Sequence, residues 1–166
     1  MSGVVRLGER EFALDGHGVR DHSWGPRTWQ GPDYYRWISA CTPTGETFVA
    51  WMMKLEGAVR NWGFLFRDGE THALTELSVR TSYDQPPHHY PESVSIEATA
   101  GPHHVSLSGA RVALVPLRHR KKDDPSTARL SELVFRFDGL SDAPAYGVAE
   151  FHDLVTDGHF TGLEEA

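Results

Sequence analysis

The sequence predicts an all-β fold of about nine or ten antiparallel strands, arranged as a strongly curved β-sandwich or an up-and-down barrel. Three observations carry this. Runs rich in aromatic and β-branched residues recur along the chain, short Pro-, Gly- and Asp-bearing turns separate them, and no segment carries an amphipathic helical period.

Tyr34–Cys41 and Thr47–Leu55 are the clearest strands, and Thr42-Pro43-Thr44-Gly45-Glu46 between them reads as a hairpin turn. Arg60 to Phe66 follows, and the Asp68-Gly69 pair then marks a tight hairpin. Thr71 to Tyr83 is long enough to need a bend or bulge. Asp84 to Pro91 holds three prolines, each lacking a ladder donor, and is expected to be a loop. Ser93–Ala98 and His104–Ser108 alternate cleanly around an Ala-Gly-Pro turn, and Val112–Leu117 is expected as a further strand. Leu130–Phe137 places Leu133, Phe135 and Phe137 on one face, and Ala145–His152 is expected to be the last strand. No linker divides the chain, so residues 1–160 read as one domain and 161–166 as a flexible tail.

Composition narrows the function classes. The 166 residues suffice to bury about two-thirds of the unfolded surface, and 39% apolar with 23% charged residues is ordinary for a soluble globular protein. Five Trp, five Tyr and eight Phe supply the apolar area. A formal charge of −7 argues against nucleic-acid binding, because phosphate neutralisation needs a basic face. The basic run Arg118 to Lys122 is followed at once by Asp123-Asp124 and reads as a solvated loop. Cys41 is the sole cysteine, which rules out an intramolecular disulfide and fits a reducing, cytoplasmic setting. The first residues lack the apolar run of about 7–15 residues that a signal peptide needs, and nothing approaches the ~20 of a membrane span.

The densest chemistry lies in Gly16-x-Gly18-x-Arg20-Asp21-His22-Ser23-Trp24-Gly25-x-Arg27-x-Trp29. Its glycines interrupt a strand, and its Arg, Asp and His are costly to bury unpaired, so it reads as a strand end facing a cavity or a buried polar network. The core Asp21-His22-x-Trp24-Gly25 resembles the signature of the carotenoid 1,2-hydratase (hydroxyneurosporene synthase) and AttH-like superfamily. The longer motif, with Gly18, Arg20, Gly25 and Arg27 as its frame, resembles an uncharacterised branch of lipocalin-like domains. The close, Tyr146-Gly147-Val148-Ala149-Glu150-Phe151-His152-Asp153, is similar to that of the same branch. The resemblance is anchored at both ends, from Gly3 to His159, and the middle matches in strand pattern alone.

The resemblance implies a lipocalin-like β-barrel enclosing an apolar pocket. Members with assigned functions hydrate or cyclise isoprenoids by protonating a double bond, or fold a polyene for a pericyclic reaction. Relatives carry two barrels in tandem, with the motif opening the second. This chain is expected to be that second barrel alone, its pocket completed by a homodimer mate or a partner barrel domain.

Candidate roles follow. Asp21, kept protonated in an apolar pocket, would give its proton to an alkene, and Trp24, Trp29, Tyr35, Trp37 and Trp51 would stabilise the cation by cation–π attraction. In the competing reading Asp21 is ionised and paired with Arg20 or Arg27 as a structural element. Alternation would put Arg20, His22 and Trp24 on one face, and pairing of the first and last strands would bring Glu150 near Arg20 or His22. That is either an acid–base pair or a buried salt bridge closing the barrel. No cofactor or metal is expected: His88-His89 and His103-His104 are adjacent pairs that point to opposite faces of a strand. Ser23 lacks a hydrolase elbow, and Cys41 reads as a core residue. The expected function is binding of a small hydrophobic molecule (isoprenoid, polyketide or steroid-like), with acid-assisted hydration or cyclisation. The alternatives are a non-catalytic carrier or one half of a split two-barrel protein.

Overall fold

The computed structural model describes residues 2–26, 28–85 and 88–162. Eleven strands occur among them, and no helix. They are β1 (Ser2–Leu7), β2 (Arg10–Asp15), β3 (Tyr34–Cys41), β4 (Thr47–Leu55), β5 (Ala58–Arg67), β6 (Glu70–Tyr83), β7 (Pro91–Ala100), β8 (His103–Arg120), β9 (Ser126–Asp138), β10 (Ala145–Thr156) and β11 (His159–Phe160). From β3 to β10 each strand pairs antiparallel with the next, and β10 returns to pair with β3, which closes an eight-stranded barrel. The short β11 adds to the end of β10, and β1 with β2 forms a separate, exposed hairpin.

Local chemistry explains the tight corners. Asp68 and Gly69 both adopt positive φ (54° and 81°), the backbone of a type I′ turn, so the Asp-Gly signal specifies the β5–β6 hairpin as expected. β6 carries the anticipated irregularity, with register shifts at Leu74/Glu76 and Ser82/Tyr83.

Several expectations are corrected. The basic run Arg118 to Lys122, expected as a loop, begins inside β8, which runs to Arg120. Ser108 and Val112 belong to one long strand, β8, rather than to two. Gly109 continues its ladder against Phe137, and a β-carbon there would lie 2.6 Å from the Phe137 ring. Glycine marks close packing at that point, not a turn; only a register shift between Arg111 and Ala113 interrupts the strand. Pro91 opens β7 instead of ending the loop, a position where its missing donor is tolerated. Ala145–His152 extends to Thr156 and is followed by β11, so it is not the last strand. The Gly16–Trp29 motif is not a strand end: residues 17–24 have no regular structure and are exposed. The preceding strands, β1 and β2, pair with each other, so the strands that flank Glu150 are β3 and β9.

Alternation sorts the barrel into two faces. Ile38, Ala40, Phe48, Ala50, Leu65, Ile96, Leu107, Leu133, Phe135, Phe137 and Phe151 point inward and are almost fully buried. Phe135 packs on both Phe137 and Phe151, with ring centroids 5.6 and 6.5 Å away. At one end of the interior, Arg36 is bound to Asp153 at 2.6 Å, to the His152 carbonyl at 2.7 Å and to the Tyr83 hydroxyl at 3.2 Å. Burial opposes the Arg36 charge, but Asp153 and Tyr83 more than offset it and hold the guanidinium firmly protonated. Among the described residues the buried salt bridge is Arg36–Asp153, and none joins Glu150 to Arg20 or His22. Side chains fill the interior where the resemblance implies a pocket.

Candidate functional site

The outward positions of the same strands form the site. Pairing places Glu132 of β9 opposite Glu150 of β10, Glu150 opposite Trp37 of β3, Trp37 opposite Trp51 of β4, and Trp51 opposite Trp62 of β5. Five strands thus carry one continuous row, two carboxyls followed by three indoles, on the outer surface of the barrel.

Part of the segment between β2 and β3 lies over this surface. The Asp33 carbonyl accepts from the Leu154 N–H and the Asp33 N–H donates to the Lys54 carbonyl, both at 2.9 Å. The Nε2–H of His152 donates to the Trp29 carbonyl at 2.8 Å. His152 points outward from β10 yet is fully buried, because this segment covers it. Between cover and sheet lies a cleft of about 660 Å³, lined by the row and by Asp21, Ser23, Thr28, Trp29, Pro32, Tyr35 and Met53. Trp29, His152, Tyr35 and Trp51 continue the aromatic wall: Tyr35 stacks on His152 at 5.0 Å and within 8° of parallel.

The electrostatics of the wall are set by desolvation. Burial pushes the Glu132 carboxyl above the ordinary carboxylate value, and none of the described residues gives it a hydrogen bond or ion pair. The Tyr35 hydroxyl donates a hydrogen bond to Glu150 Oε1. Burial also pushes the His152 imidazole below its usual value, against the opposing pull of the Trp29 carbonyl. Chemically, the cleft offers a flat apolar surface with carboxyls at one end, a setting in which an acid can meet an unsaturated carbon away from bulk water.

The expected residues divide. Asp21, Trp29, Tyr35, Trp37, Trp51 and Glu150 all line the cleft. His22 does not; its ring lies 5.2 Å from that of Trp24, which is 83% exposed. Gly18, Arg20 and Gly25 are exposed, no ion pair joins Asp21 to Arg20 among the described residues, and Arg27 lies outside them. Sequence reasoning missed Glu132, Trp62 and His152. Trp62 was within reach, since counting back through the Glu56-Gly57 turn sets it opposite Trp51. Glu132 was not, because only the closing β9–β10 pair brings it beside Glu150.

Among solved structures, the chain is similar to the crystal structure of kievitone hydratase from Nectria haematococca, with 14% sequence identity and a TM-score of 0.52. The match covers 94% of this chain and 50% of that one, so the chain spans about half the hydratase's length. The likeness shows the fold, a lipocalin-like barrel. No curated protein matches the sequence. Residues 1–155 match DUF7064, a domain of unknown function, and the chain belongs to that family.

Proposed function

We propose that the outer-face cleft binds a small hydrophobic, unsaturated molecule of isoprenoid, polyketide or steroid-like character and adds water to, or cyclises, one of its double bonds by acid catalysis. The observation that supports this most is the composition of a single cleft: indole faces on three neighbouring strands, with carboxyls from three segments, Asp21, Glu132 and Glu150. A protonated carboxyl gives its proton to the alkene, indole faces stabilise the cation that results, and water or a second double bond closes on it. The similarity to a hydratase and the Asp21-His22-x-Trp24-Gly25 motif favour this reading and a place near the carotenoid hydratase and AttH-like superfamily. A cytoplasmic setting, suggested by the lone Cys41, is part of the same proposal.

The test is to titrate the protein with farnesol while following tryptophan fluorescence, then to look for the mass of added water or an isomerised product. Saturable quenching with product formation supports the proposal. Quenching without product supports a carrier, and no quenching removes the ligand site.

A second reading concerns the open side of the cleft. Val115, Leu117, Tyr146 and Val148 are exposed on the same outer face, and the chain spans half of the two-fold longer hydratase. A second barrel, from another copy or a partner protein, would cover this apolar strip and complete the wall.

A further inference from the structure

The row of facing residues carries more than a list of lining groups. Glu132, Glu150, Trp37, Trp51 and Trp62 occupy one line because each is the direct partner of the next. Strands lie about 4.8 Å apart, so four steps across the sheet give a track of roughly 19 Å. Its chemistry is graded. The β9–β10 end holds both carboxyls, and the β5 end is Trp62, which is 51% exposed. An apolar molecule shorter than the track would leave Trp62 uncovered; a compact one would touch only one end.

The two carboxyls are not equivalent. Glu150 accepts a hydrogen bond from the Tyr35 hydroxyl, which fixes the orientation of its carboxyl group. Glu132 receives no such donor from the described residues, and burial beside Glu150 on the neighbouring strand favours its protonated form. Asp21, by contrast, sits on an exposed segment without regular structure, where nothing in the strand ladder holds its carboxyl at a fixed point.

We propose that an elongated, unsaturated chain lies along this row with its reacting double bond at the β9–β10 end, where Glu132 is the proton donor and Glu150 the proton acceptor. The inference rests on the acid-catalysed reading above and assigns its groups. The alkene π pair takes the Glu132 proton to form a C–H bond, leaving the adjacent carbon cationic beside Trp37. In hydration, a water lone pair forms the C–O bond while the water's proton passes to Glu150. In the reverse sense, the cation loses a neighbouring C–H proton to Glu150 and the alkene re-forms. Either way Glu132 ends ionised and Glu150 protonated, and exchange with solvent restores both.

The reverse step gives a readout that needs no knowledge of the natural substrate. Geraniol, farnesol and geranylgeraniol lengthen by one isoprene unit at each step, and each presents trisubstituted double bonds. With the full chain in D2O, deuterium uptake into the bound alcohol is followed by mass spectrometry and affinity by tryptophan quenching. Affinity is expected to rise from geraniol to geranylgeraniol. Trp62→Ala should weaken geranylgeraniol by about tenfold while leaving geraniol within about twofold. Glu132→Gln should lower uptake at least about a hundredfold with affinity within about twofold, and Glu132→Asp should recover part of it. Full uptake in Glu132→Gln overturns the assignment of the donor. Loss in Asp21→Asn instead, with Glu132→Gln active, overturns it as well while leaving acid catalysis in place. Equal affinity for all three alcohols overturns the track. If the unaltered protein binds the alcohols but takes up no deuterium, the catalytic reading itself fails and this assignment falls with it.

Discussion

The Nε2–H of His152, on the outer face of β10, donates to the carbonyl oxygen of Trp29 in the covering segment at 2.8 Å, and the ring's other nitrogen, Nδ1, is buried without a partner among the described residues. This contact holds one neutral tautomer, because protonation would place a second N–H where nothing accepts it. Burial accordingly lowers the His152 value in the folded chain. As pH falls below the ordinary 6.5, the unfolded chain takes up a proton that the folded chain refuses, so stability falls with pH. Urea midpoints measured across this range should drop on acidification. In His152→Phe the baseline stability falls through loss of the Trp29 bond, but the slope attributable to this residue should disappear. An unchanged slope would show that His152 is not the group responsible.

Arg36 and Asp153 make the opposite kind of contact: a charged pair in the barrel interior, with side chains 3% and 9% exposed. Asp153→Ala leaves the guanidinium buried with only carbonyl and hydroxyl partners. The expected cost is about 3–5 kcal/mol, read from urea unfolding. The double replacement Arg36→Met with Asp153→Leu should cost less than Asp153→Ala alone, since it removes the charge together with its partner.

Gly147 on β10 packs against the backbone of β3 with no room for a side chain. A β-carbon there would lie 1.7 Å from the Ser39 carbonyl oxygen, while the Ser39 hydroxyl bridges the Val148 N–H and C=O at 3.2 and 2.8 Å. Gly147→Ala is expected to cost more than about 2 kcal/mol, seen as a lowered Tm or an insoluble product. Gly57→Ala, at a turn with open space around it, should lose only the roughly 1–2 kcal/mol of positive-φ strain.

The exposed strip of Val115, Leu117, Tyr146 and Val148 bears on assembly. Light scattering is expected to give a dimer mass if a second copy closes the cleft, and Leu117→Lys or Val148→Lys should return it to a monomer. A clean monomer for the unaltered chain defeats homodimerisation and leaves a partner barrel as the occupant.

Proton donation by Glu132 carries its own pH signature. Its value is raised by burial, so the protonated donor persists above the ordinary carboxylate range and is lost as pH rises through the shifted value. Deuterium uptake should therefore fall on the alkaline side, and Glu132→Asp should move that limb. A limb that stays in place assigns the titration to another group.

What the sequence determined by itself was local. Tyr34–Cys41 and Thr47–Leu55 are legible to the residue, because alternation and the intervening Pro-Gly turn act over a few neighbours. The same reasoning specifies the Asp68-Gly69 hairpin and places Trp37 and Trp51 on one face. The tertiary structure decided everything that depends on closure. Only the β9–β10 and β10–β3 pairs set Glu132 beside Glu150 and Glu150 beside Trp37, across sequence separations that no turn dictates. It also decided which face holds the cleft: the aliphatic and Phe side chains fill the small barrel's interior, so the indoles of the alternate positions turn outward beneath the segment held by His152 and Asp33. The Asp21-His22-x-Trp24-Gly25 motif, the loudest signal in the chain, lies in a covering segment without strand structure. Its glycines and charged side chains belong to no ladder, and Asp21 reaches the cleft only because there is a barrel for the segment to lie on.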